Sequence, residues 1–325
     1  MAAGRRRALA SFIAMVLLAA LGAPAAAFPV RPVRIIVAGP AGATADVTAR
    51  LLADGLAKEL GQPVIVDPRP GAAGAIAVNE LLAAPRDGHT LLVAVNSLVS
   101  EVPHIVKLKH DMAREIRPLA ELARGGLVLV ATPSFSANTL PELVRQAKAN
   151  PGTLTYASYS PGTMSHILGL QLNRAAGIDL VHAGYKGSTP ALADVMGGHV
   201  PLMFDNLPSA LPLIRAGKIK ALAVSTPVRS ALLPQVPTFS ELGYPQLEAL
   251  AWMGLWATPA VPAAVQARVR EAALRVMASP EAHAKLRETG FEPGQPRSTE
   301  DMQRLLRSDY ERVGALLQSI GFKPE

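Results

Sequence analysis

Two short stretches of this chain bring together residues able to hold an anion. In the first, Gly39-Pro40-Ala41-Gly42-Ala43 lies between a β-branched run, Val33 to Val37, and a segment with apolar Val47, Leu51, Leu52 and Leu56. The run reads as a buried strand and the segment as a helix packed by one stripe. Gly39 and Gly42 permit close backbone approach, and the helix-start amides with the positive dipole end suit a carboxylate or phosphate. Alternatively, Thr44 or Asp46 caps those amides and the turn holds no ligand. In the second stretch, Tyr159-Ser160-Pro161-Gly162-Thr163 follows a strand, Thr155 to Ser158. It precedes a helix whose buried stripe is Met164, Ile167, Leu168 and Leu172. The hydroxyls of Ser158, Ser160 and Thr163 add donors to the amides there. The first turn lacks the G-x-G-x-x-G spacing and the chain has no P-loop, so neither nucleotide motif applies.

Other polar residues fall near these turns. His166, one turn into the second helix, either donates to a bound anion or caps a neighbouring loop. Lys186, between Tyr185 and Gly187, either pairs with a ligand carboxylate or is simply solvated. Asp205 ends a strand, where it receives a ligand ammonium or hydroxyl or ties down the turn Asn206-Leu207-Pro208. Asn96 and Ser97 follow another strand end. Ser158 or Ser160 with His166 and Asp205 would make a hydrolase triad, but no G-x-S-x-G elbow supports it. His104 and His110, with Lys107, Lys109 and Asp111, lack metal-motif spacing. The absence of cysteine excludes disulfides, thiolate nucleophiles and cysteine-bound metals. No catalytic residue, metal or cofactor is expected.

The elements that carry these turns alternate in type. After Val33 to Val37 come strands at Val64 to Asp67 and Thr90 to Val95, separated by helices, with the turns Pro68-Arg69-Pro70-Gly71 and Pro85-Arg86-Asp87-Gly88 between them. This order implies right-handed crossovers and an open parallel sheet, with ligands beyond the carboxyl ends of its strands. Gly126 to Thr132 is a strong strand leading into a second domain. Thr139 to Glu142 and Thr238 to Glu241 read as capping boxes, and Ser279-Pro280 as a helix start. Residues 250 to 257 read as a strand returning to the first domain, with Trp252 and Trp256 on one side in its core. The last helix, from Thr299, carries Leu305, Leu306, Tyr310, Val313 and Leu317 as a stripe packed on the first domain.

A chain of 325 residues has room for two domains. Its N-terminus is separate in character. Arg5, Arg6 and Arg7 precede the apolar run Ala8 to Leu21, then Pro24 and Ala25-Ala26-Ala27. The run is shorter than the roughly 20 residues of a spanning helix, so a secretory signal cleaved after Ala27 is expected. Cleavage removes three arginines from a net charge of +7 and leaves a mildly basic chain without a Lys/Arg run. Nucleic acid is therefore not an expected partner.

Seven stretches in order resemble one family, the periplasmic substrate-binding proteins of tripartite tricarboxylate transporters, also called the Bug family. They are RPVRIIVAGPAGATADVTARLLADGL, GQPVIVDPRPGAAG, RDGHTLLVAVNS, LVRQAKANPGTLTYASYSPGTMSH, VHAGYKGSTPALADVMGGHVPLMFDNLPS, GKIKALAVSTPVRSALLPQVPTFSELG and WMGLWATPA. The resemblance implies an α/β, two-lobed flytrap, each lobe a mostly parallel sheet flanked by helices. Residues 28–130 and 255–325 would form one lobe and 131–254 the other. A small organic acid would sit between them, held by the loops Gly39 to Ala43 and Ser158 to Thr163. Asp46, Asn96, His166, Tyr185, Lys186 and Asp205 stand beside these as candidate contacts. The protein would be a periplasmic monomer delivering its ligand to a membrane permease. Docking on a signalling receptor, or hydrolysis, are the alternatives. Three departures bear on the ligand: Gly39 replaces an aromatic residue, Ala43 a glycine, and Ala183-Gly184 a Val-Pro pair. The first would enlarge one wall of the cleft, suiting an acid larger than a four-carbon diacid.

Overall fold

A computed structural model describes residues 28–159, 161–185, 187–319 and residue 322. The expected leader, residues 1–27, and the candidates Ser160 and Lys186 lie outside the described residues.

The β-branched run forms β1 (Val33–Val37), followed by α1 (Thr44–Leu60), β2 (Val64–Pro68), α2 (Ala75–Ala83) and β3 (Thr90–Val95). β1 pairs in parallel with both β2 and β3, because a helix returns the chain across the sheet each time. Three short helices, α3 (Ser97–Ser100), α4 (Val102–Ile105) and α5 (Met112–Glu115), lead into β4 (Arg117–Gly125). One residue later the chain begins β5 (Leu127–Ala131), a member of a different sheet. The second unit continues with α6 (Leu140–Ala149), β6 (Thr155–Ser158), α7 (Met164–Ala176) and β7 (Val181–Gly184). It is completed by α8 (Ser188–Met196), β8 (Leu202–Asn206), α9 (Leu207–Arg215) and β9 (Lys220–Val224). The chain then returns through β10 (Ala251–Ala257), α10 (Ala263–Met277), α11 (Pro280–Glu288), β11 (Glu292–Pro293) and α12 (Thr299–Ser319).

The first sheet has the order β11-β4-β10-β3-β1-β2 and the second β7-β6-β8-β5-β9. Both are mixed rather than mostly parallel. β10 lies antiparallel between β3 and β4, and β5 antiparallel between β8 and β9. The cause is the crossing itself: β4 leaves the first lobe and β10 re-enters beside it, so the two run in opposite directions. Sheet membership changes at Gly126 and again before Ala251. A side chain at Gly126 would sit 2.5 Å from the Thr226 methyl and 3.1 Å from its backbone nitrogen, so the first crossing packs tightly on the segment after β9. In that segment Ser225 links the two crossings, accepting from the Leu127 amide (2.9 Å) and donating to the Ala249 carbonyl (2.7 Å).

Helices α1 and α10 cover one face of the first sheet, burying Ile35, Val37, Leu52, Leu56 and Val269. Helices α2, α3 and α12 cover the other, with Ile36, Leu92, Trp252 and Trp256. Each such large side chain contributes about 1.5–3 kcal/mol on burial. The two tryptophans stack at 5.3 Å as their strand spacing predicts. The stripe of α1 differs from expectation: Ala45, Ala49, Leu52, Ala53, Leu56 and Leu60 are buried and Val47 is 40% exposed. Those positions follow the 3.6-residue period, and Val47 points the other way. Helix α12 also departs. Met302 and Leu306 join the first lobe's core, whereas Val313 and Leu317 join the second lobe's core with Leu168 and Leu172. It thus spans both lobes, and Leu305 and Tyr310 of the expected stripe face solvent. Thr238 and Glu241 make the reciprocal capping bonds (3.0 and 2.8 Å), but around a turn instead of a helix.

Candidate functional site

A cavity of about 400 Å³ opens between the two lobes. Its floor is the crossing pair Gly125-Gly126 with Ala251, Trp252 and Met253 of the returning strand, and Phe291 closes one end. Its walls are helix beginnings. Thr44 and Ala45 start α1, Ser97 starts α3, Thr163 and Met164 start α7, Ser188 starts α8, and Pro208 and Ser209 lie in the first turn of α9. In none of these five helices does the N-cap residue's own side chain bond the first turn, but the Met164 amide at the start of α7 donates to Glu101 (3.1 Å). Away from the cleft, α5, α6 and α11 are capped by Asp111, Thr139 and Ser279, whereas α2 and α10 also lack a side-chain cap. The starts of the four longer helices, α1, α7, α8 and α9, each carry roughly half a positive charge in their amides, while α3 is a single turn. Among the described lining residues there is no lysine or arginine, and Glu101 supplies the sole carboxylate. Any positive potential from these described residues therefore comes from backbone dipoles.

A larger cavity, about 680 Å³, lies outside the cleft between α4, α5 and α12. Its walls mix Lys107, Arg114 and Arg307 with Asp111 and Glu311, and the helix starting there is already capped. It lacks the convergence seen between the lobes.

The structure disposes the sequence candidates unevenly. Pro40, Ala41 and Gly42 are exposed and Gly39 and Ala43 half-buried, and none of the five is among the residues lining the cavity, which begin at Thr44. Gly42 has φ +77°, the left-handed conformation glycine favours. Gly39 does not, and a side chain built on it would meet only Ala45 at 3.8 Å. Asp46 does not face the cleft. Its carboxylate binds Arg50 (2.9 and 3.1 Å) and accepts from the Gly42 amide (2.9 Å), and the Arg50 bond leads in holding it below its ordinary range. Neither Asp46 nor Thr44 caps α1; Asp46 bonds back to the turn instead. Asn96 clamps Trp252, its side-chain oxygen accepting from the Trp252 amide (3.0 Å) while its own amide donates to the Trp252 carbonyl (2.9 Å).

In the second lobe, Ser158 is buried against His182 Nε2 at 2.7 Å. His166 accepts from the Gly162 amide through Nδ1 (3.0 Å) and stacks on His182 at 3.8 Å. Burial, and then His182, push His166 down to about 4, so it is a neutral loop cap. Pro161 packs toward Gly184: a Cβ there would lie 2.7 Å from the proline Cγ, which explains glycine at that departure from the family pattern. Tyr185 turns to Asp194, its hydroxyl donating at 2.5 Å. Asp205 is fully buried and accepts from Ser188 and Ser209, and burial pushes it up to about 6 despite those bonds. It positions two lining serines. Thr163 lines the cavity, its side chain hydrogen-bonded to Tyr159, whose phenol burial raises. The imagined triad is not assembled: Ser158 pairs with His182, and Asp205 with two serines.

Sequence reasoning missed Glu101, Tyr159, Ser188 and Ser209 as lining residues. Glu101 had one signal, a lone acid within the apolar stretch LVSEVPHIV.

Two mixed α/β lobes joined by crossing strands, with a cleft of helix starts between them, define a two-lobed binding-protein fold. The chain matches the family model for the tripartite tricarboxylate transporter family receptor over residues 48–322. It is 35% identical over 311 residues to a UPF0065 protein of Bordetella pertussis, covering 95% of each chain. Among solved structures it is similar to a Rhodopseudomonas palustris protein determined with adipate (30% identity, TM-score 0.79, 92% of this chain and 100% of that one). It is also similar to MatC of that organism determined with malate (29% identity, TM-score 0.74, 89% and 100%). The chain belongs to the tripartite tricarboxylate transporter receptor family, a family of solute-binding proteins and not an enzyme class.

Proposed function

We propose that this protein captures a small organic carboxylate in the interlobe cleft and delivers it to a membrane permease of the tripartite tricarboxylate type. One observation carries the reading: five helix starts without a bond from their own N-cap side chains, from both lobes and with only that of α7 met by Glu101, line a single cavity with no lysine or arginine among its described residues. Such a seat holds one anion through amides and hydroxyls, and it is completed only when the lobes meet. The carboxylate faces the Thr44-Ala45 amides of α1 with the Ser97 hydroxyl as a further donor, away from the start of α7, whose Met164 amide already donates to Glu101. Adipate and malate in the related structures support this ligand class. The lobes divide at Gly126 and near residue 250, and α12 ties their outer edge. Export through the leader, residues 1–27, places the mature protein in the periplasm, and no described helix is long and apolar enough to cross a membrane.

A thermal-shift screen of mono-, di- and tricarboxylates tests the reading. A ligand at about 100 times its Kd adds roughly 2.7 kcal/mol and raises Tm measurably. No shift with any acid, or equal shifts with uncharged amides, would overturn it.

A further inference from the structure

The start of α7 is met from across the cleft by a carboxylate of the protein itself. Glu101, on the first lobe between α3 and α4, accepts from the Met164 amide at 3.1 Å. It is only 6% exposed, yet it lines the cavity, and no hydrogen bond to its Oε1 is present among the described residues. The charged groups around it come from two other elements. Asp309 and Arg312 of α12 are paired with each other at 2.9 Å, and Tyr159 lies in the loop after β6. Among the described residues no cation is hydrogen-bonded to Glu101, and the effect of Arg312 on it is opposed by that of Asp309. A ligand carboxylate placed beside it would leave two anions in a cavity with no described lysine or arginine in its lining, which is strongly unfavourable at low dielectric.

We propose that Glu101 is the specificity-determining residue of the cleft: it admits a ligand with one carboxylate and a hydrogen-bond donor at its far end, and admits a dicarboxylate only together with one proton, taken up on Glu101. The proposal rests on the carboxylate-binding reading above. Neutral Glu101 donates to the second carboxylate, whereas ionised Glu101 accepts from a hydroxyl or ammonium. Burial favours the neutral form and brings the group up to about 7, so both states are reachable near neutral pH.

The test compares adipate with its ω-hydroxy monoacid by titration calorimetry, from about pH 6 to about pH 8, in buffers of different ionisation enthalpy. Matched pairs from succinate to suberate extend the panel. Adipate affinity should fall about tenfold across this range with uptake of up to one proton, while the hydroxy acid changes less than about threefold. In Glu101→Gln the amide still accepts from Met164 and donates at every pH, so the adipate dependence should vanish. If that variant does not fold, the wild-type proton count decides. Adipate binding without pH dependence or proton uptake overturns the role of Glu101 alone. Absence of binding by every acid at every pH removes the carboxylate reading and this role with it.

Discussion

Asp205→Asn should stabilise the unliganded protein above about pH 6 and weaken it slightly near pH 4. Asp205 is fully buried, and burial raises its carboxyl from 3.8 to about 6. Because the folded state favours the protonated form, the folded protein holds the proton longer than the unfolded chain does. Its contribution to stability is intact below the unfolded value and is lost as pH rises through about 6. A shift of about two units corresponds to about 3 kcal/mol of lost stability above that range. Asparagine carries no charge and escapes this cost. It cannot accept from both Ser188 and Ser209 as the carboxylate does, so about 1 kcal/mol of hydrogen bonding goes with it. The variant should therefore run from about 1 kcal/mol less stable than wild type near pH 4 to about 2 kcal/mol more stable above pH 7. The wild-type profile alone would not reveal this. Glu101 acts in the same sense, whereas His166 and His182, pushed down by burial, add stability as pH rises and oppose it. The assay is urea unfolding of both proteins at a series of pH values, comparing midpoints with the slope held constant. A difference profile flat with pH, or an asparagine variant less stable than wild type at about pH 8, would refute the reasoning.

Gly39→Phe should leave apo Tm nearly unchanged, since Gly39 is outside the left-handed region and a Cβ meets only Ala45; titrations should show weaker binding of a long or branched acid with a short acid spared. Thr163→Val removes a lining hydroxyl and the Tyr159 bond, so calorimetry should show affinity falling by about 1–3 kcal/mol while apo melting moves less. Gly126→Ala forces a methyl against the Thr226 methyl at 2.5 Å, and should cost about 1–3 kcal/mol in apo unfolding without altering the cleft's charge preference.

What the sequence determined by itself was local. The strand-turn-helix units around residues 39 and 162 and the caps at Thr139 and Ser279 all appear where short-range spacing places them. So does the stacked tryptophan pair on the returning strand. Turn and cap geometry depends on residues within a few positions of each other, and strand facing on a period of two. That is enough to find helix starts, and helix starts are the substance of this cleft. Where each side chain goes from there was decided in tertiary structure. Asp46, Ser158, His166 and Tyr185 stand beside these turns, but partners at Arg50, His182, Gly162 and Asp194 satisfy them. Glu101 meets Met164 only because the lobes fold together, 63 positions apart in sequence. The crossing at Gly126 and the bridging by α12 likewise rest on contacts between distant segments. A buried polar group takes whichever partner the packing brings within reach, and a local pattern carries no record of that partner.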